Sequence, residues 1–125
     1  MGLDMNFSYS KTRIPLNKIN SAENGWEYFK ENTEDVYYFR KFYDLHDFII
    51  GLYKEDDPDG YEKYGDNGTF IELTTEMLEK LEYWIWSNKE DTEDIDENLD
   101  EFYRIICEMI FRTKHGEHFY YEGDY

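Results

Sequence analysis

The chain has 125 residues, enough for one domain and short for two. It carries 30 acidic against 13 basic residues, a formal net charge of -17, yet 20% of it is aromatic, with 13 Tyr, 9 Phe and 3 Trp. A disordered chain is poor in aromatics, so the composition describes one acidic globular domain over residues 1–125. Its field repels polyanions, which argues against direct nucleic-acid binding and against an anionic membrane surface.

No run of about 18 apolar residues occurs, so no membrane span is expected. Residues 1–10 lack a basic start followed by an apolar stretch, and no signal peptide is expected. The single cysteine, Cys107, has no internal partner, which fits a reducing, cytoplasmic setting. Residues 1–20 hold Lys11, Arg13 and Lys18 against Asp4, leaving a net -19 on the rest.

The opening alternates. Leu3, Met5, Phe7 and Tyr9 share one side, and Asp4, Asn6, Ser8 and Ser10 the other, which predicts a half-buried strand. Pro15 and the polar run 17–24 end it. A helical turn is expected around Trp26, Tyr28 and Phe29.

Spacings of three and four link Phe39, Phe42, His46, Ile49, Ile50 and Tyr53, and predict a long helix from about Glu34 to Tyr53. Residues 55–68 read as a loop with three glycines and one proline, and 69–73 as a short strand. Thr74 or Thr75 can cap a second helix with the stripe Met77, Leu78, Leu81, Trp84 and Ile85. A third helix is expected from 92–94, with the stripe Ile95, Leu99, Phe102, Ile106, Met109 and Ile110, closed by Gly116. His118 to Tyr121 read as a closing strand. The fold class is α+β: a small antiparallel sheet of about three short strands against three main helices.

Residues 90–101 hold eight carboxylates in twelve positions. On a helix, Glu93, Glu97, Asp100 and Glu101 lie opposite Ile95, Leu99 and Phe102, and Asp94 adds to the ridge at the helix start. Neighbouring carboxylates are then about 5–6 Å apart, the scale on which phosphates follow one another along a strand. A rigid acidic ridge of this kind can occupy a basic groove. The plain alternative is a solvated, solubilising face, although solubility needs far less charge. Tyr37, Tyr38, Tyr43, Tyr61, Tyr64, Tyr83, Tyr103, Tyr120, Tyr121 and Tyr125 exceed what one small core is expected to bury. Tyrosine is a preferred interface anchor, and Tyr103 stands next to the ridge.

Other features are weaker. Residues 55–66 place Glu55, Asp57, Asp59, Gly60 and Asp66 at calcium-loop positions, but with the wrong acid at the first and last, so an acidic surface loop is the reading. His115 and His118 are too few for a metal site; His115 reads as a helix-end residue. Cys107 reads as a small core hydrophobe. No catalytic motif, cofactor or metal is expected. Tyr38, Arg40, Lys41 and His46, if on one helix, make a small cationic pocket suited to a phosphate or nucleotide; ion pairing of Arg40 with Asp44 and Asp47 is the plainer alternative.

Met1-Gly2-Leu3-Asp4-Met5, with Tyr38-Phe39-Arg40-Lys41 and Leu45-His46-Asp47-Phe48, resembles a family of small bacteriophage and prophage proteins. In that family a helix carrying the two internal motifs is followed by a Gly/Asp loop, a short strand, a helix and an aromatic-acidic final strand, and Thr69 to Leu81 and His118 to Tyr125 fit the last two of these features. Asn6 stands where that family has Tyr, Phe39 where it has Trp, and this chain is shorter and more acidic. The resemblance implies a phage gene product acting inside a bacterium, and carries over no catalytic role.

The leading expectation is an inhibitor of a host antiviral defence system, a CRISPR nuclease or restriction enzyme. Its partner would be a host nucleic-acid-binding protein with a basic groove, met through Glu93, Asp94, Glu97, Asp100, Glu101 and Tyr103. A small-ligand binder that sequesters a nucleotide signal is the alternative, and an enzyme ranks last. Self-association into a homodimer stays open.

Overall fold

A computed structural model describes residues 2–40, 42–88 and 96–125, with backbone only at 88 and 96–99. The element order is β1 (Asp4–Ser10), α1 (Leu16–Ile19), α2 (Gly25–Asn32), β2 (Glu34–Arg40), α3 (Tyr43–Asp56), α4 (Pro58–Tyr64), β3 (Ile71–Glu72), α5 (Thr75–Asn88), α6 (Asp96–Thr113) and β4 (His118–Asp124). The strands form one antiparallel sheet in the order β2-β1-β4-β3. The class is therefore α+β, with four strands among the described residues where three are expected.

The additional strand is β2. The expected helix from Glu34 to Tyr53 is two elements: residues 34–40 pair along β1, from Asp4↔Arg40 to Tyr9↔Glu34, and the helix starts at Tyr43. Residues 37–40 alternate, with Phe39 buried, Tyr37 half-buried, and Tyr38 and Arg40 exposed. Val36, Tyr37, Tyr38 and Phe39 are β-branched or aromatic types that suit a pleated surface, and β1 offers them a complete ladder. The ion pairs expected of Arg40 on a helix are accordingly not formed.

Helices cover both faces. On the inner face α3, α5 and α6 bury Leu45, Ile49, Leu78, Leu81, Phe102 and Ile106 against Leu3, Met5, Phe7, Phe119 and Tyr121. Phe102 is the hub, with ring centroids 4.9 Å from Phe7 and 4.8 Å from Phe39. Each such side chain contributes about 1.5–3 kcal/mol by leaving water. On the outer face, Ile14, Ile19, Phe29, Phe70 and Tyr120 form a second core beneath α1 and α2.

This second layer buries Ser8 and Ser10, which the alternation of β1 places on the solvent side. It also buries Tyr120 completely, while the inner core buries Tyr121. Both are expected at the surface on the count of aromatics. Two cores, one on each side of β4, give these rings room that one core lacks. Their hydroxyls are satisfied: Ile14 N–H donates to Tyr120 at 2.8 Å, and Tyr121 meets His46.

Local signals hold at the helix ends. Thr74 caps α5, its hydroxyl accepting from Met77 N–H at 3.2 Å. Gly116 ends α6 with φ +88°, in the left-handed region that suits glycine. His115 Nδ1 lies 2.8 Å from the Phe111 carbonyl, at the helix end where it is expected. The acidic loop 55–68 is not all loop: Pro58 to Tyr64 form α4, capped by Asp57, whose carboxylate accepts from Gly60 N–H at 3.0 Å.

Candidate functional site

α5 and α6 run antiparallel: Thr75 at the start of α5 bonds Thr113 at the end of α6, hydroxyl to hydroxyl at 2.9 Å. α5 buries Met77, Leu78, Leu81 and Ile85. Period 3.6 then turns Glu79, Glu82, Tyr83 and Trp86 toward a shared outer side. α6 buries Phe102, Ile106 and Met109, and brings Tyr103 to the same place. These five, Glu79, Glu82, Tyr83, Trp86 and Tyr103, line a shallow depression of about 350 Å³.

Its chemistry is acidic and aromatic. Tyr83 is 74% exposed and Trp86 64% exposed, the highest values among the large exposed rings of the described residues, and the two lie side by side in one depression. The Trp86 and Tyr103 rings lie 6.0 Å apart, and the Tyr103 hydroxyl donates to Glu82 at 3.3 Å. Burial pushes the Tyr103 hydroxyl's pKa up, and Cys107 and Glu82 add to this, so it remains a donor. Nearby, Glu101 accepts from Tyr37 at 3.5 Å. Burial foremost, and then Glu101, raise the Tyr37 pKa.

Cys107 is exposed, not in the core: position 107 follows the buried Ile106 and turns toward the outer side of α6. Burial and the Glu82 carboxylate push its thiol up, against the demands of a nucleophile.

Of the expected ridge, Asp100 and Glu101 are exposed on α6 and Tyr103 is half-buried at the depression. Glu97 lies in the helical backbone of α6, with its side chain outside the description. Glu93 and Asp94 lie outside the described residues. Reading the sequence missed Glu79, Glu82 and Trp86, although the spacing of 79, 82, 83 and 86 already puts them on one helical face.

The cationic pocket does not assemble. Tyr38 and Arg40 stand on the outer face of β2, where the Tyr38 hydroxyl donates to Asp4. His46 is buried on the inner face, against Gly123 and Tyr121. Lys41 lies outside the described residues. The shared helix that would have joined them is interrupted by the end of β2.

Among the described residues, no group of three or more His, Cys, Asp or Glu side chains has the arrangement to hold a metal ion. No helix there is long and apolar enough to cross a membrane. No protein-family model, curated protein or solved structure matches the chain significantly.

Proposed function

We propose that the protein is a phage-encoded inhibitor of a bacterial antiviral nuclease, a CRISPR nuclease or a restriction enzyme, and that it works inside the host cell by protein–protein contact. The acidic, aromatic side of α5 and α6 docks on the partner's basic nucleic-acid groove. The observation that carries this is the exposure of Tyr83 and Trp86 between the carboxylates of Glu79 and Glu82.

Such rings are costly to leave in water, and they supply short-range anchoring energy in interfaces. The carboxylates pair with Arg and Lys of the groove, and the net charge of -17 speeds encounter with a cationic partner. Asp100 and Glu101 extend the negative side along α6. The phage setting rests on the sequence resemblance.

The test is plating efficiency of a phage on strains that each carry one CRISPR or restriction system and express this chain. Plaques return with the wild-type chain on a sensitive strain and do not return with Glu79→Lys/Glu82→Lys/Trp86→Ala. Equal rescue by that variant, or no rescue on any strain, overturns the proposal.

A further inference from the structure

A second cavity, of about 530 Å³, lies between the segment 13–20, the last turn of α3, α4 and the approach to β3. Its volume is that of a small-molecule site. One wall is apolar, with Ile14, Leu16 and Phe70; another carries Asp56, Asp57 and Tyr53.

Tyr53 presents a hydroxyl to this cleft. It is only 7% exposed, it lines this cavity, and its hydroxyl makes no hydrogen bond to any described residue. Among the described residues the one buried side-chain atom without a hydrogen-bond partner is His46 Nε2, so the Tyr53 hydroxyl is open to the cleft and available to a ligand. Asp57 is half-used: Oδ1 caps α4 by accepting from Gly60 N–H, which leaves Oδ2 free. The two free groups converge at Gly60, where an added Cβ would collide with Asp57 Oδ2 and lie 2.9 Å from the Tyr53 hydroxyl.

Across the cleft, Arg13 Nε is held 3.2 Å from Glu72, so its charge is offset there. Asp56 and Asp57 have no ion-pair partner among the described residues. Burial, Asp57 and Tyr64 raise the Tyr53 pKa, so its oxygen stays a neutral acceptor and donor.

We infer that this cleft binds an alkylammonium ligand. The ammonium sits against Asp57 Oδ2 and the Tyr53 hydroxyl, with Asp56 as a further counter-ion. The methylene chain lies along Ile14, Leu16 and Phe70. Two sources share this chemistry, a free polyamine and a basic amino acid. The latter adds a carboxylate for the remaining guanidinium nitrogens of Arg13.

The experiment is calorimetric titration of the intact protein with putrescine, spermidine, lysine and, as a neutral counterpart, 1,4-butanediol, at physiological salt. The expected result is one saturable site for an amine and none for the diol. Tyr53→Phe and Asp57→Asn each weaken it by about tenfold, whereas Glu31→Gln, on the exposed side of α2, binds as wild type. Asn is itself a good helix cap, so Asp57→Asn keeps α4, which thermal unfolding checks; Tyr53→Phe keeps the ring packing. Tighter lysine binding that Arg13→Gln removes assigns the amino acid, and tighter polyamine binding assigns the polyamine. Absence of a saturable site, or unchanged binding in Tyr53→Phe, overturns the inference, because diffuse attraction to an acidic surface does not depend on one hydroxyl.

Discussion

His46 Nδ1 lies 2.5 Å from the Tyr121 hydroxyl, where α3 crosses the inner face of β4. The contact is closed from below by Gly123, two residues along the same strand. A Cβ at 123 would sit 2.5 Å from His46 ring atoms and 2.7 Å from the Tyr121 hydroxyl. The other imidazole nitrogen, Nε2, is buried with no hydrogen-bond partner among the described residues. Burial holds the His46 pKa below its ordinary value, so the ring is neutral in the fold. This pair pins the helix that follows β2 to the strand at the centre of the sheet.

Gly123→Ala is therefore expected to destabilise the protein by about 1–3 kcal/mol, the cost of overpacking a closed site. Gly51→Ala is the control with the opposite sign. Gly51 lies within α3, is exposed, and has open space where a Cβ would go. That change should stabilise by about 0.5–1 kcal/mol. Urea midpoints of the two variants decide both; a Gly123→Ala midpoint at or above wild type would show that the close approach is not needed.

Glu122 faces the opposite way from Tyr121 and is 8% exposed. Burial, with Asp124 adding, pushes its carboxyl up to about 7, and Lys30 offsets part of this. An unfolded glutamate titrates near pH ~4.3. Between those values the folded chain holds the proton more tightly than the unfolded one. The stability contributed by neutral Glu122 is thus fully present below pH ~4.3, declines as pH rises, and is lost above about 7. Glu122→Gln should match the wild type in acid and exceed it at alkaline pH by about 1–3 kcal/mol. The check is the difference between the two urea midpoints across pH; a difference that stays flat contradicts the burial of this carboxylate.

The second core is small, so single truncations there should be severe. Phe29 stacks on Phe70 with centroids 4.1 Å apart, and meets Tyr120 edge-on at 5.6 Å. Phe29→Ala should cost about 3–5 kcal/mol. Tyr120→Phe removes the acceptor of the buried Ile14 N–H and should cost about 1–3 kcal/mol. Thermal unfolding measures both. A loss under 1 kcal/mol for Phe29→Ala would mean that α2 does not close the outer face.

The fold was legible where one period ran undisturbed. β1, α5 with its Thr74 cap, the α6 stripe from Phe102 to Ile110 with Gly116 behind it, and β4 stand where their patterns put them; the expected helix start at 92–94 and Ile95 lie outside the described residues, as does the side chain of Leu99. Residues 34–53 misled because Phe39, Phe42 and His46 satisfy spacings of three and four across what is a junction between strand and helix. The alternation of Tyr37, Tyr38, Phe39 and Arg40 was present, but only the pairing partner β1 decides between the two periods. α4 was hidden in an acidic, glycine-containing stretch, although Asp57-Pro58 is a start signal for a helix. The outer core had no pattern of its own, since Ile14, Ile19, Phe29 and Phe70 come from separate segments.

The candidate surface was half legible. The acidic run named α6 and Tyr103, but the rings that stand out most, Tyr83 and Trp86, belong to α5. Only packing of α5 against α6 shows which tyrosines are spent in the interior, as Tyr120 and Tyr121 are, and which remain outside.

Displacement of fluorescent nucleic acid from purified CRISPR and restriction nucleases, at low and at physiological salt, tests the proposed docking most directly. Wild-type protein should displace it from a target nuclease, more weakly as salt rises. Glu79→Lys/Glu82→Lys/Trp86→Ala, its fold checked by thermal unfolding because Glu82 also accepts from Tyr103, should not. No displacement from any nuclease at low salt, or equal displacement by that variant, would contradict the acidic face of α5 and α6 as the docking surface.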